Sequence, residues 1–406
     1  MQMKNPTPFD VCRQLFADKT DYYHHWYHAK PMLITSERRD ELRRMQALLY
    51  KCIAYMAEHY REWVPQYMPL EEKVMEILDR QSRYPFRAGA YRPDYLISED
   101  GQLLLVEITC RFFGHGIWAN YPSVVKAQQF MAAYPEASWE NRYDELLTYM
   151  RDIIPAGRPI YVLKSSDRGS ESTFYTKFYE YYGHEVTVYE AAEVEANIDQ
   201  WSHDAVVFSA LNQHDLLSFK MDTLQAMIDV RMLNDFRTIF LIHDKRFLHL
   251  IFVDDFTRQC LTEEETAFLR AHTIHTYLYN RNKEIWEDAM QHKDRYILKP
   301  YDLGKSVGLY AGVMTDEETW KKNLIESEKG GFILQPFIHQ RTYPCEWEGK
   351  HYDEYVCGMM LCMDDCYFGS GVFRTSSAPV TNKVDDRKMC VIHSDDEELK
   401  KYCFVL

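Results

Sequence analysis

Apolar positions recur at three- and four-residue spacing through "SERRDELRRMQALLYKCIAYMAEHYREW", Ser36 to Trp63. That period predicts a long amphipathic helix, capped by Ser36 and with Arg39 where a capping box would carry Glu. Residues 1 to about 80 read as mainly helical on the same pattern. From Arg83 the period shortens to strand, turn and strand in "RPDYLISEDGQLLLVEITCRF". It lengthens again in "SVVKAQQFMAAY" and "NRYDELLTYMRDII", two more amphipathic helices, before Pro155-Ala156-Gly157 breaks the chain.

Beyond that break the pattern alternates. "RPIYVLKSS" is a short buried-strand pattern, "SESTFYTKFYEYYG" a helix ending at Gly183, and "HEVTVYEA" a second strand. "DAVVFSA", a long helix "LLSFKMDTLQAMIDVRML" and a strand "TIFLIH" continue the series, which predicts a small Rossmann-like unit from about 158 to 243. It has no GxGxxG, so dinucleotide binding is not indicated. From Asp244 come a helix "KRFLHLIF" and then "TEEETAFLRAH", whose Thr262 and Glu265 fit a capping box. Strands "RYILKPY", "VGLYAGV", "GFILQPFI" and "DEYVCGMMLCMDDCYFGSGVFRTSS" dominate the remainder. The fold class is mixed, α+β with an α/β part, in three segments: 1–150, 151–243 and 244–406.

Composition narrows the function. The 406 residues carry 47 basic and 62 acidic side chains, a formal charge of −15, with no long basic run, which argues against gripping nucleic acid by its phosphates. The most apolar stretch, "TIFLIHDKRFLHLIFVDDF", is interrupted by His243, Asp244, Lys245 and Arg246, so no span of about 18 apolar residues exists for a membrane. Ten cysteines lie scattered without a short-spaced framework or a leading secretory segment, which fits a reduced cytoplasm. Cys357, Cys362 and Cys366 have no CxxC spacing and read as buried thiols rather than a metal site.

Candidate chemistry starts at the hairpin. A two-residue type I′ turn at Asp100-Gly101 places Asp94 across from Glu107 and Arg92 across from Thr109 on one face, with Leu96 and Leu105 on that face nearer the turn. Two carboxylates held together suit a cation, and hard oxygens suit Mg²⁺; the alternative is two acids facing solvent. In "RYILKPYDLGKSVGLYAG" a strand ends in Lys299, and a loop with Gly304, Lys305, Ser306 and Gly308 could cover phosphates, although it is no Walker A motif. The alternative is a glycine-containing hairpin with exposed lysines. "GGFILQPFIHQ" leaves its strand through Gln335-Pro336, freeing an edge for a base, and "YFGSGVFRTSSAPVTN" puts Arg374 at a strand end, with Asn382 beyond it.

Together these stretches resemble a circularly permuted ATP-grasp enzyme, similar to glutathionylspermidine-synthase-like proteins, over about residues 83 to 382. The resemblance implies an ATP-grasp fold with the Rossmann-like unit inserted between its two parts, and ATP and Mg²⁺ as cofactors. "RPDYLI" resembles the strand of the first metal carboxylate, Asp94, and "LLLVEITCRF" the ExNxR strand, giving Glu107 as the second carboxylate and Arg111 as a phosphate or acyl-phosphate arginine. Thr109 stands where the family has asparagine, which weakens or removes one ligand of a second metal ion. Lys245, Lys299, Lys305 and Ser306 would meet the phosphates, and Gln335 and Phe337 the adenine; Arg111, Arg374 and Arg87 are the catalytic candidates. The expected reaction is ATP-dependent joining of a small-molecule or peptide carboxylate to an amine through an acyl phosphate, with the loop at Lys305 as a lid. A kinase of a hydroxylated metabolite and an inactive nucleotide-binding module remain alternatives at this point.

Overall fold

A computed structural model describes residues 6–17, 25–114, 116–165, 171–304, 306–381 and 383–406. Its largest sheet has seven strands. Arg387–Met389, Phe373–Ser376, Lys350–Met363, Ala90–Ile97 and Leu103–Thr109 lie side by side in that order, and Thr342–Trp347 and Cys366–Ser370 also pair with Lys350–Met363. The acidic hairpin near residue 100 therefore joins a sheet otherwise built from the last part of the chain. Register across it sets Asp94 opposite Met359, Leu96 opposite Cys357, and Cys357 opposite Arg374.

Three smaller sheets surround it. Val186–Glu190, Ile160–Lys164 and Val206–Ala210 are parallel, with the helix Glu171–Tyr181 as the crossover, so the expected βαβ unit forms. Phe332–Pro336, Tyr296–Pro300 and Tyr310–Ala311 make an antiparallel sheet, in which Lys299 pairs with Ile333 and Gln335 with Ile297. Met32–Ile34, in the region expected to be helical, lies between Phe404–Val405 and Val391–His393, with Ser138–Trp139 at the far edge.

The long helix runs Ser36–Tyr67 and buries Leu42, Met45, Leu49, Cys52, Ile53 and Met56, the stripe its spacing predicts. Its cap is Thr35, whose hydroxyl accepts from the Arg38 amide, and Ser36 instead bonds Asp395. The capping box at Thr262 and Glu265 is present. No described helix is long and apolar enough to cross a membrane.

Three expected elements differ. "TIFLIH" is a buried π-helical segment, Thr238–Ile242, rather than a strand. A short apolar run buried on all sides has the same pattern in either conformation. The long helix after Leu216 is two, Gln213–Ser218 and Met221–Asp229, because Phe219 turns extended between them. "VGLYAGV" reduces to the strand Tyr310–Ala311 and a 3₁₀ turn, Gly312–Met314.

The hairpin turn is also longer than expected. Gly101 donates to the Ser98 carbonyl at 2.9 Å and Ser98 to Gln102 at 3.0 Å, closing a three-residue loop with Gly101 at φ +87°. That shifts the register to Ile97–Leu103, Leu96–Leu104 and Tyr95–Leu105; one extra residue, Val106, then restores Asp94–Glu107 and Arg92–Thr109. The two irregularities cancel at the open end. Between them Leu105 turns into the core and Val106 takes the place expected for it on the cleft face, beside Glu107.

Candidate active site

A cleft of about 690 Å³, open mouth included, lies between the main sheet and the antiparallel sheet that holds Tyr296–Pro300. Glu107, Lys245, Lys299, Ser306 and Arg374, drawn from the acidic hairpin through to the C-terminal strands, all line it. Alternation explains the sheet members: Leu96, Cys357 and Arg374 are register partners on one face, and Ile297 and Lys299, two residues apart, share a face of the facing strand.

Asp94 is wholly buried and both its oxygens are engaged. Arg92 approaches with Nε at 2.8 Å and Nη2 at 3.0 Å, and Arg374 Nη2 stands at 2.7 Å from the second oxygen. Burial alone would lower the Arg374 pKa, but Asp94 and then Cys357 and Glu107 outweigh it and raise it. Asp94 is thus a clamp that aims two guanidinium groups. Thr109, on the same face, has its hydroxyl 3.4 Å from Arg92 Nη2.

Glu107 is the more accessible acid, with its side chain 27% exposed and Oε2 3.6 Å from Lys245 Nζ. Burial would raise its pKa, but Lys245, Lys299, Arg374 and Arg92 pull it down to about 2, so it stays ionised. Lys245 also donates to the Leu303 carbonyl at 2.5 Å and its amide donates to the Tyr301 carbonyl, which ties the lysine to the segment leading into the Gly304–Gly308 loop. Burial, reinforced by Lys245 and opposed by Glu107, lowers Lys299 to about 8. His243, from the end of the π segment, is buried with Nδ1 3.2 Å from the Ile108 carbonyl, and burial with the neighbouring Lys245 and Arg111 holds it down to about 3, hence neutral.

The donor set can be weighed against Mg²⁺. One accessible carboxylate, Glu107, facing space that phosphate oxygens could fill, suits a cation that takes one or two carboxylates with phosphates and water. Asp94 is buried, and each of its oxygens already accepts from an arginine.

At the apolar end Ile297, Leu309, Ala311 and Val380 pack together with Phe337, which places Phe337 behind the cleft wall. Gln335 is buried, its Nε2 2.8 Å from Thr276 Oγ1 and 3.4 Å from the carbonyl of the bulged Val106. Ser306, at φ +57°, has its hydroxyl 3.4 Å from the Thr381 carbonyl. Gly308, at φ +66°, packs so closely on Pro300 that a Cβ would come within 2.9 Å of its ring. Arg111 borders the same loop, stacks its guanidinium 4.6 Å from the Phe112 ring, and has Nη2 about 4.0 Å from where a Gly304 Cβ would stand. Lys305 and Asn382 lie outside the described residues.

Arg87 is not part of this constellation. It bonds Asp364 at 3.3 Å and lines a separate cavity with Gly89, Arg231 and Asn234. Conversely, Arg92, Val106, Val380 and His243 belong to or support the cleft and were not candidates from the sequence. Arg92 alone was open to discovery, since it lies two residues from Asp94 on the same strand face.

Comparison with known proteins points the same way. The family described as the AnkG N-terminal domain matches residues 45–241, just under half of the chain. The chain is also 21% identical to the ATP-grasp enzyme ankG of Aspergillus thermomutatus, an alignment covering 91% of this chain and 87% of the relative. This likeness supports an ATP-grasp relationship and, with it, an enzyme rather than a purely structural protein.

Proposed function

We propose that the protein is an ATP- and Mg²⁺-dependent carbon–nitrogen ligase that joins a carboxylate to an amine through an acyl phosphate. What supports this most is the charge of the cleft: Arg92, Arg374, Lys245 and Lys299 surround two carboxylates, one of them consumed in the clamp, although the whole chain carries −15. A surplus of buried positive charge is costly without an anion to meet it, and a triphosphate meets it.

In this reading Lys245 and Lys299 neutralise the phosphates, and the apolar end at Ile297 and Val380 receives the base. Glu107 would hold Mg²⁺, with Thr109, two residues along the same strand, as the weaker candidate; the ion would neutralise charge on the phosphates. A substrate carboxylate oxygen attacks the γ-phosphorus and ADP leaves. The amine nitrogen then attacks the acyl carbon, the C–O bond to phosphate breaks, and the nitrogen gives up a proton. Arg374 and Arg92, fixed by Asp94, would orient the carboxylate and stabilise the charge on the acyl phosphate, which is mainly a matter of positioning.

The test is ADP release and product mass against mixed pools of carboxylic acids and amines. Ligation predicts sustained ADP release over many turnovers only when both partners are present, and its loss in Lys299→Met. A stable phosphoester from a hydroxylated compound would replace this reading with a kinase. Nucleotide binding without turnover would leave a binding module.

A further inference from the structure

We propose that His28, Cys345 and Glu354 form a zinc site on the face of the main sheet opposite the cleft. Strand register places it there. Cys345 pairs with Tyr352 and Glu354 with Tyr343, while Thr375 pairs with both Val356 and Arg387. These positions alternate with Cys357 and Arg374, which face the cleft, so Cys345, Glu354, Thr375 and Arg387 share the other side.

Three donors of different kinds converge there. One ligand atom from each of His28, Cys345 and Glu354 lies within 4.8 Å of the others. His28 Nε2 is 3.5 Å from Glu354 Oε1, and both residues are buried. Zinc bonds of about 2.0–2.3 Å would set such donors roughly 3.5 Å apart, so a closure of about 1 Å completes the arrangement.

The carboxylate carries the second observation. Its Oε1 accepts from Arg387 Nε at 2.5 Å, and Arg387 is itself held by Asp385 at 3.0 Å and stacked 4.4 Å from the Tyr352 ring. Its Oε2, in a residue with no exposed surface, has no hydrogen-bond partner among the described residues. A buried carboxylate oxygen without a partner is costly, and a cation satisfies it. Arg387 then acts as the outer partner that orients the ligating carboxylate.

The chemistry selects the metal. Imidazole nitrogen, thiolate sulfur and one carboxylate oxygen suit zinc and not Mg²⁺, which prefers oxygen alone. Cys345 reaches a cavity also lined by Lys30, His351 and Asp353, which gives the ion an entry path and leaves a fourth position for water. On binding, the S–H bond breaks, the sulfur pair forms the S–Zn bond and the proton goes to solvent.

The experiment uses the full chain, stripped with a chelator and titrated with Zn²⁺ and then Co²⁺. One equivalent of Zn²⁺ is expected, and Co²⁺ should give tetrahedral visible bands with a thiolate-to-cobalt band in the near ultraviolet. Cys345→Ser should abolish the thiolate band and, with Glu354→Gln, weaken Zn²⁺ binding by more than the roughly 10–100-fold typical of losing an outer partner. Lys299→Met should bind zinc as the parent does, which separates this site from the cleft. Sub-stoichiometric binding, absence of the thiolate band in the parent chain, or undiminished affinity in Cys345→Ser would each overturn the proposal, whatever the outcome in the cleft.

Discussion

Replacing Asp94 by Asn separates two roles that the same acid could play. The side chain is buried and makes three charge-assisted hydrogen bonds of 2.7–3.0 Å to Arg92 and Arg374, whose side chains are 10% and 17% exposed. Removing its charge leaves two largely buried guanidinium groups without their main counter-charge. Breaking a buried pair in this way costs about 3–5 kcal/mol. With an unfolding entropy of about 2.1 cal/mol/K per residue, a chain of this length unfolding as one unit loses about 1.2 °C per kcal/mol, hence about 4–6 °C. Differential scanning fluorimetry without nucleotide, with Mg²⁺ alone and with Mg²⁺ plus ATP measures it. The clamp predicts the fall already in the ligand-free protein. A direct metal ligand predicts unchanged or improved ligand-free stability with only the Mg²⁺-dependent shift lost, since removing one of two neighbouring carboxylate charges relieves repulsion. An unchanged melting temperature in all three conditions would refute the clamp.

Three other substitutions test the site and the scaffold. Lys299 titrates near 8 in the folded protein against 10.5 ordinarily, so nucleotide affinity should fall as pH rises through about 8, while this group's contribution to stability increases from about 8 to 10.5 because the unfolded chain holds the extra proton. Isothermal titration and thermal melting across that range should show these opposite trends, and Lys299→Met should remove both; a parallel fall would sink the assignment. Thr35→Ala should destabilise by about 1 kcal/mol through loss of the helix cap, while Ser36→Ala, at an exposed position, should stay within roughly 0.5 kcal/mol; denaturation midpoints showing the reverse would restore Ser36 as the cap.

Much of the cleft was legible because its residues sit in short strands with clear punctuation. Lys299 precedes a proline at a strand end, and Asp94 and Glu107 flank a glycine turn, so residue type and spacing sufficed to nominate them. Lys245 was nominated only through family resemblance. Its approach to Glu107 depends on a buried π-helical turn that read as a strand, because side chains buried on every side leave no polar phase to register the period. Arg87, named with Arg111 and Arg374 as a catalytic candidate, lines another cavity, because its distance from the cleft is set by tertiary packing that no local pattern records.

By itself, then, the chain determined the local elements and the charge types available, since period, caps and turn residues act over a few positions. Tertiary structure decided what those charges do. The Val106 bulge that cancels the longer turn, the arginines that close on Asp94 from two strands, and the meeting of His28 with Cys345 and Glu354 join residues far apart in sequence. Such contacts depend on register between strands and on what burial leaves unsatisfied, and neither quantity is written in any one segment.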